Sequence, residues 1–204
     1  MTTQVPLVMA ITGASGAPYA IRLVEELVRS EQRLSLIVSG HGWRLLDMEA
    51  GIASIDALRH RIGASAWDAH VNVYDDGDRG APPASGSARS RGMVVCPCSM
   101  GTLAAIAAGA SRSLIERAAD VALKERRRLV LVPRETPLSV IHLENMLRVS
   151  RAGAVVLPAA PAFYHGVQHV ADLINFVIAR VLDQLGVEHD LVPRWGSGAP
   201  HEEQ

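Results

Sequence analysis

Short apolar runs alternate with longer amphipathic segments along most of the chain. The first run, Val5 to Ile11, ends at Thr12-Gly13, and the next, Leu34 to Val38, ends at Ser39-Gly40. Apolar runs of this length, bounded by glycine and small polar residues, are typical of buried parallel strands. Between them, residues 16–29 carry apolar side chains at helical spacing and charged side chains on the other side. The pattern predicts a strand, a helix and a second strand.

The same alternation continues to residue 185 and predicts an α/β fold. Further strands are expected at Val71–Tyr74, Met93–Cys96, Leu129–Val132 and Ala154–Leu157. Further helices are expected at His41–Met48, Ile55–Arg61, Met100–Ala108, Ser113–Glu125, Ser139–Ser150 and Val170–Leu185. Strands that alternate with helices form a parallel sheet with helices on both faces. We therefore expect a single-domain, doubly wound, Rossmann-like or flavodoxin-like fold.

The composition narrows the possible functions. The 204 residues are 49% hydrophobic and 20% charged, with a formal net charge of −1, so no charge excess draws in nucleic acid or an anionic membrane. The N-terminus has no signal-peptide pattern, and Pro97 and Gly101 interrupt the one long uncharged stretch, residues 93–110. Cys96 and Cys98 are poorly spaced for a disulfide and too few for a zinc site, so we expect reduced thiols and a cytoplasmic protein.

Polar or glycine-rich sequences follow four of the predicted strands. Ligands of doubly wound sheets bind at the carboxyl ends of the strands, where the strand order reverses. The sequence after the first strand lacks the G-x-G-x-x-G pattern, and no acidic residue ends the second strand, so a dinucleotide site is disfavoured. An anion such as a phosphate can still bind at the helix N-terminus that follows the first strand. The four sequences are Gly13-Ala14-Ser15-Gly16, Ser39-Gly40-His41-Gly42, Cys96-Pro97-Cys98-Ser99-Met100-Gly101-Thr102 and Pro133-Arg134-Glu135-Thr136-Pro137.

Each of these strand ends also has a purely structural interpretation. Ser39 and Ser99 each precede a predicted helix. Each can therefore be the N-cap of that helix instead of a ligand contact. Arg134 and Glu135 either pair with each other, or hold a phosphate beside a carboxylate that exchanges protons. Arg117 and Lys124 lie two helical turns apart, a spacing that is also common on a solvated helix face.

Six segments, in this order, resemble the UbiX/Pad1 family of flavin prenyltransferases over about residues 5–196. We therefore expect a flavoprotein domain over 1–196 and a polar tail over 197–204. The segments are Thr12–Gly16, Cys98–Ala104, Leu114–Glu125, Val132–Pro137, Ile141–Met146 and Pro158–His165.

The resemblance implies a metal-independent reaction in which dimethylallyl monophosphate prenylates N5 and C6 of reduced FMN. The prenylated FMN serves UbiD-type decarboxylases, and the family assembles as a dodecamer whose neighbouring subunits complete each site. The family's flavin contacts fall on Gly13, Ala14, Ser15, Ser39, Ser99, Met100, Gly101, Thr102 and Arg134. Its prenyl-phosphate contacts fall on Arg117, Lys124, Glu135, Tyr164, Arg180 and Trp195. Its catalytic groups fall on Glu49, Glu135, Lys124 and Ser15, with Glu49 and Glu135 expected to manage protons. The loop 75–91 is expected to cover the substrate.

Three alternative functions fit the sequence less well. An FMN-dependent cysteine decarboxylase uses an Asn-bearing motif, which Pro97–Thr102 lacks. A non-catalytic FMN carrier needs no second phosphate site, whereas this chain has Arg117, Lys124 and Arg180. A direct phenolic-acid decarboxylase would need a separate site, and the sequence offers none.

Overall fold

A computed structural model describes residues 4–164 and 166–193, which form a central sheet flanked by helices. The sheet has six parallel strands in the order β3-β2-β1-β4-β5-β6. The strands are β1 (Leu7–Ile11), β2 (Leu34–Val38), β3 (Val71–Tyr74), β4 (Gly92–Cys98), β5 (Arg128–Pro133) and β6 (Val155–Val156). The strand order reverses between β1 and β4, so the predicted doubly wound sheet is confirmed and its switch point lies there.

The helices cover both faces of the sheet. They are α1 (Ala17–Arg29), α2 (Gly40–Ala50), α3 (Ile55–Ile62), α4 (Ala64–His70), α5 (Met100–Ala107), α6 (Leu114–Lys124), α7 (Val140–Arg151) and α8 (Val170–Leu185). The helix α4 was not predicted, because it is short and only Trp67 of its side chains is buried. The strand β6 is shorter than the predicted 154–157, and β4 is longer than the predicted Met93–Cys96.

Successive residues of each strand point to opposite faces, which divides the interior into two cores. Met9 and Ile11 of β1 pack with α1 and α8 on one face. Val8 and Ala10 pack with α5 and α6 on the other. The helices α6 and α8 therefore lie on opposite sides of the sheet.

The loop between β3 and β4 is tied to α6 along its length. Arg127 donates to the carbonyls of Gly86 at 2.6 Å and Ala88 at 2.8 Å, and Arg117 donates to the carbonyl of Ala84 at 3.1 Å. The loop also contains a 3₁₀ turn, Pro82–Ala84, in which Pro83 and Ala84 are buried. It packs as an ordered layer over the α6 side of the molecule.

The two cysteines are free and buried at the end of β4. Burial raises the pKa of the Cys98 thiol to about 12, and it raises that of Cys96 as well. The predicted thiols are confirmed, and both are protonated at neutral pH. Among the described residues, no helix is long and apolar enough to cross a membrane.

Candidate active site

A cavity of about 230 Å³ opens at the switch point of the sheet. The ends of β1, β2 and β4 all contribute to it, as parallel strands at a switch point should. Its lining residues are Gly13, Ser39, His41, Asp76, Ser99, Thr102, Ser113, Ile115 and Glu116.

Among the helices that begin at this cavity, α2 and α5 are capped by the two serines that the sequence singled out. Ser39 accepts a hydrogen bond from the backbone N–H of Gly42 at 3.0 Å, and Ser99 accepts one from that of Thr102 at 3.2 Å. Both serines therefore have the capping role that was the structural alternative. The earliest N–H groups of α2 and α5 have no acceptor within their own helix, and helix N-termini favour anions. The cavity thus has the N–H donors that a phosphate requires.

Glycine allows the loop after β1 to lie directly on the start of α2. A Cβ atom at Gly13 would lie 2.5 Å from the Cβ of His41, and one at Gly42 would lie 2.5 Å from the carbonyl oxygen of Ile11. Real Cβ atoms do not approach other atoms so closely. The two glycines are therefore a steric requirement of the site.

Thr12 connects the two strands on either side of the switch point. Its hydroxyl donates to the carbonyl of Pro97 at 2.9 Å and accepts from the N–H of Ser99 at 2.8 Å. Thr12 is only 2% exposed, so both contacts are made away from solvent. They set the position of the α5 N-terminus relative to the loop after β1.

Glu49 closes the N-terminus of α1, which has no capping side chain of its own. Its Oε2 accepts hydrogen bonds from the N–H groups of Gly16 at 2.9 Å and Ala17 at 2.8 Å. Arg134 approaches the same loop from the end of β5 and donates to the carbonyl of Ser15 at 2.9 Å. Residues from three elements therefore converge on one turn.

The surroundings of Glu49 favour its charged form. Burial acts to raise the pKa of this carboxyl, but hydrogen bonds from Gly16, Ser15 and Ala17 and the charge of Arg134 outweigh it. The net result is a pKa below the ordinary value. At neutral pH Glu49 is a carboxylate, which can accept a proton but has none to give.

Glu135 lies at the exposed edge of the same region. Its Oε1 accepts from the N–H of Thr136 at 3.0 Å, while its neighbour Arg134 binds Ser15. The described residues contain no ion pair between Arg134 and Glu135, so the alternative of a mutual salt bridge is wrong. Both side chains remain at the carboxyl edge of the sheet.

The remaining predicted flavin contacts do not line the cavity. The side chains of Ala14 and Met100 are buried, and the N–H of Ala14 donates to the carbonyl of Thr12 at 2.9 Å. Gly101 is exposed, and a Cβ there would meet only the Ser99 hydroxyl, at 4.0 Å. These residues lie at the two helix starts that the sequence predicted.

The predicted prenyl-phosphate contacts on α6 do not line the cavity. Arg117 pairs with Asp120 at 2.6 Å, and Lys124 pairs with Glu125 at 2.5 Å. Lys124 ends α6, seven residues after Arg117, so about 10 Å of helix separates the two. The ion pairs agree with the solvated-face alternative for the isolated chain.

Tyr164 and Arg180 line a second cavity of about 280 Å³ with Phe176, Asp183 and His189. The last turn of α8 lies at the amino edge of the sheet, since Arg128 donates to the carbonyl of Gln184 there. Because α6 and α8 occupy opposite faces, one chain does not bring Arg180 together with Arg117 and Lys124. Trp195, the remaining predicted contact, lies outside the described residues.

Sequence reasoning missed three polar residues that line the first cavity. Asp76 accepts from the N–H of Ile115 at 2.9 Å, Ser113 caps α6, and Glu116 accepts from the N–H of Arg112 at 2.8 Å. Asp76 closely follows β3 and Ser113 precedes a helix, and both positions are recognisable in the sequence. Their convergence depends on the packing of α6 beside the switch point. The described residues contain no cluster of three or more side chains arranged for a metal ion.

Comparison with known proteins agrees with this architecture. The sequence model of the family described as Flavoprotein matches residues 1–182. The flavin prenyltransferase UbiX of Pseudomonas aeruginosa is 51% identical over 197 residues, which are 93% of each protein. The chain belongs to the UbiX family of flavin prenyltransferases. The family and the enzyme class expected from the sequence are thereby confirmed.

Solved UbiX structures have the same fold. A UbiX protein crystallised with FMN and dimethylallyl pyrophosphate superimposes with a TM-score of 0.88 at 42% identity, covering 96% of this chain and all of that one. A dodecameric FMN-dependent UbiX-like decarboxylase from Escherichia coli superimposes with a TM-score of 0.85, also at 42% identity, covering 93% and 98%. The UbiX fold therefore extends over nearly the whole chain.

Proposed function

We propose that this UbiX-family enzyme transfers the dimethylallyl group of dimethylallyl monophosphate to N5 and C6 of reduced FMN. Phosphate is the leaving group, and prenylated FMN is the product, made for a UbiD-type decarboxylase. The observation that carries the proposal is the switch-point cavity, where capped helix N-termini and the loop after β1 converge in a UbiX-family chain.

The cavity fits the phosphate of FMN in its chemistry. Two helix starts, whose first N–H groups have no acceptor within their own helix, supply donors that a phosphate needs, together with the hydroxyls of Ser39, Ser99 and Thr102. We assign flavin binding to this set and to Gly13, Ala14, Ser15, Met100, Gly101 and Arg134. When bound, reduced FMN supplies the nucleophile, and the chain supplies its position.

We further propose that the prenyl-phosphate site is completed by neighbouring subunits of a homo-oligomer, a dodecamer in the assembly that we favour. The reason is geometric: Arg180 lies on the opposite face of the sheet from Arg117 and Lys124. Residues that cannot meet within one chain can meet across a subunit interface. In this assignment Glu135, Tyr164 and Trp195 complete the set.

The residues have distinct chemical tasks in this proposal. Arg117, Lys124 and Arg180 stabilise the charge that develops on the departing monophosphate, which removes the need for a metal ion. Glu135 delivers the proton to that phosphate. Glu49, held as a carboxylate, accepts a proton and, with the Ser15 hydroxyl, keeps the loop after β1 in place.

Domain extent and location follow the same reasoning. We assign residues 1–196 to one flavoprotein domain followed by a polar tail, in agreement with the family match over 1–182. The two free thiols suit the reducing cytoplasm, where we place the enzyme.

The deciding experiment is an anaerobic incubation of the protein with reduced FMN and dimethylallyl monophosphate, followed by mass spectrometry of the flavin. We expect a flavin heavier by one dimethylallyl unit and one phosphate released per turnover. Tight FMN binding without modification would instead support a carrier. A phenolic acid offered to the same protein tests for direct decarboxylation, and carbon dioxide release without prenylation would overturn the proposal.

A further inference from the structure

Arg180 belongs to a chain of three polar side chains that runs from the interior to the surface. Asp183 lies three residues later on α8, and its Oδ2 is 3.1 Å from Nη1 of Arg180. Its other oxygen, Oδ1, is 3.3 Å from Nε2 of His189. One carboxylate therefore joins the arginine to the histidine.

Burial decreases steadily along this chain of residues. The side chain of His189 is 2% exposed, that of Asp183 is 16% exposed and that of Arg180 is 53% exposed. The inner end is therefore fixed by packing, and all three side chains line the second cavity beside Tyr164. An ion pair between two exposed residues lacks such an anchor and constrains its arginine little.

The segment that carries His189 is itself held in place. The helix α8 ends at Gly186, whose left-handed conformation turns the chain back. Val187 is then buried, and the His189 side chain is only 2% exposed, so packing against the interior holds this segment.

The hydrogen bonding of His189 indicates that its Nε2 donates to Asp183. Its Nδ1 is buried and, within the described part of the chain, has no hydrogen-bond partner. A neutral imidazole with its proton on Nε2 avoids an unbonded buried N–H group and donates to Asp183. Asp183 then remains an acceptor for Arg180 on its second oxygen.

We propose that Asp183 is a positioning residue for Arg180 and that His189 fixes the orientation of Asp183. The inference rests on the proposed function, in which Arg180 binds the phosphate of the prenyl donor. Asp183 takes one nitrogen of the planar guanidinium, Nη1, and orients the other N–H donors for the phosphate. Neither Asp183 nor His189 needs to touch the substrate.

The test is steady-state kinetics of flavin prenylation with dimethylallyl monophosphate as the varied substrate. We expect Asp183→Asn to raise the KM for the prenyl donor about five- to tenfold, because a phosphate contact loses its orientation. The affinity for FMN should stay unchanged, since the flavin site is elsewhere. Asp68→Asn, which removes the exposed ion pair with Arg59, is the matched control and should leave both values unchanged.

A double-mutant cycle separates positioning from a general loss of structure. If Asp183 acts through Arg180, then Asp183→Asn should have no further effect on the dissociation constant of dimethylallyl monophosphate, measured by direct binding, in an Arg180→Ala background. A full additional increase in that background would overturn the proposal. So would an unchanged KM in the single variant.

Variants at His189 keep the proposal testable if Asp183→Asn does not fold. His189→Gln places an N–H donor near the position of Nε2 and should retain most of the affinity for the prenyl donor. His189→Ala should raise KM as Asp183→Asn does, and equal KM values for His189→Gln and His189→Ala would contradict the role of His189. Failure of the proposed function is separate, because the wild-type protein would then form no prenylated flavin at all.

Discussion

At the scale of single residues, the candidate site depends on two glycines without a Cβ atom and on one carboxylate that accepts hydrogen bonds from a helix N-terminus. Gly13 and Gly42 have no Cβ, which lets the loop after β1 contact the start of α2. Glu49 supplies the cap that the sequence of α1 does not contain. Steric fit and hydrogen bonding at these residues set the shape of the cavity.

Gly13→Ala should weaken FMN binding about tenfold or more. The added methyl group would meet His41 at 2.5 Å, and overpacking of this kind costs about 1–3 kcal/mol. Fluorescence titration with FMN measures the affinity. Gly40→Ala, one residue before His41, is the matched control, because its Cβ meets nothing within 4 Å. Equal affinities for the two variants would refute the steric account.

Glu49→Gln should lower the stability by about 1 kcal/mol at pH 7, the usual scale for a charge at a helix N-terminus. Because the pKa of Glu49 is lower when folded, its stabilising effect is present above the ordinary glutamate pKa. The effect is lost as the pH falls through the lower value. Urea unfolding of both proteins from pH 7 downward should therefore show a difference that shrinks below about pH 5.

The control for that experiment is Glu188→Gln, which changes an exposed glutamate after α8. It should unfold like the wild-type protein at each pH. If the difference in unfolding free energy between wild type and Glu49→Gln stays constant down to the lowest pH measured, the carboxylate charge is not involved.

At the scale of elements, the site is a junction of strand ends and helix starts. Ser39 and Ser99 cap α2 and α5 in the same way, each through the third residue of its helix. Thr12 then links β1 to the start of α5 through two buried hydrogen bonds. The relative placement of these elements decides where the N–H groups point.

Thr12→Val should destabilise the protein by about 1–3 kcal/mol, because the shape is kept while Pro97 and Ser99 lose a buried partner. FMN affinity should fall as well, since α5 is no longer held beside the loop after β1. Thermal unfolding and FMN titration provide the two measurements. Thr12→Ser keeps the hydroxyl and should lose much less of either, and an equal loss would point to packing instead.

At the scale of the whole molecule, the sheet divides the proposed prenyl-phosphate residues between its two faces. Arg117 and Lys124 lie on α6 and Arg180 on α8, so a neighbouring chain must bring them together in our proposal. The helix α7 is suited to such an interface. Its large apolar side chains Val140, Ile141, Leu143 and Leu147 are all exposed in the single chain.

Mixing two inactive variants tests whether one site uses more than one chain. We expect Arg117→Ala and Arg180→Ala proteins, inactive alone, to regain activity when unfolded together and refolded as a mixture. If the two arginines of a site come from different chains, about a quarter of the sites in an equal mixture are intact. Prenylated flavin is the readout. No recovery in hybrids that have assembled would place both arginines of each site on one chain.

Ile141→Asp should reduce the size of the assembly, because it places a charge where an apolar surface is expected to be covered. Light scattering after size-exclusion chromatography measures the mass. Ile55→Asp, at the exposed start of α3, is the control and should leave the mass unchanged. An unchanged mass for both variants would exclude α7 from the interface.

The sequence by itself determined the alternation of strands and helices, the parallel sheet and four polar strand ends, three of which line the cavity. Local hydrophobic period and turn chemistry carry that information, as in Leu34–Val38 followed by Ser39. The short helix α4 was not predicted from the sequence, because Trp67 is its only buried side chain. The family resemblance, rather than any pattern in the residues, named the flavin and the prenyl donor.

Only the tertiary structure decided which of the predicted residues lie together. The cap that Glu49 supplies to α1, the bridge through Thr12 and the approach of Asp76 to α6 join positions far apart in sequence. The separation of Arg117 from Arg180 also needed the structure, because it depends on the sheet face against which each helix packs. Local patterns specify elements, whereas contacts between elements depend on how the whole chain packs.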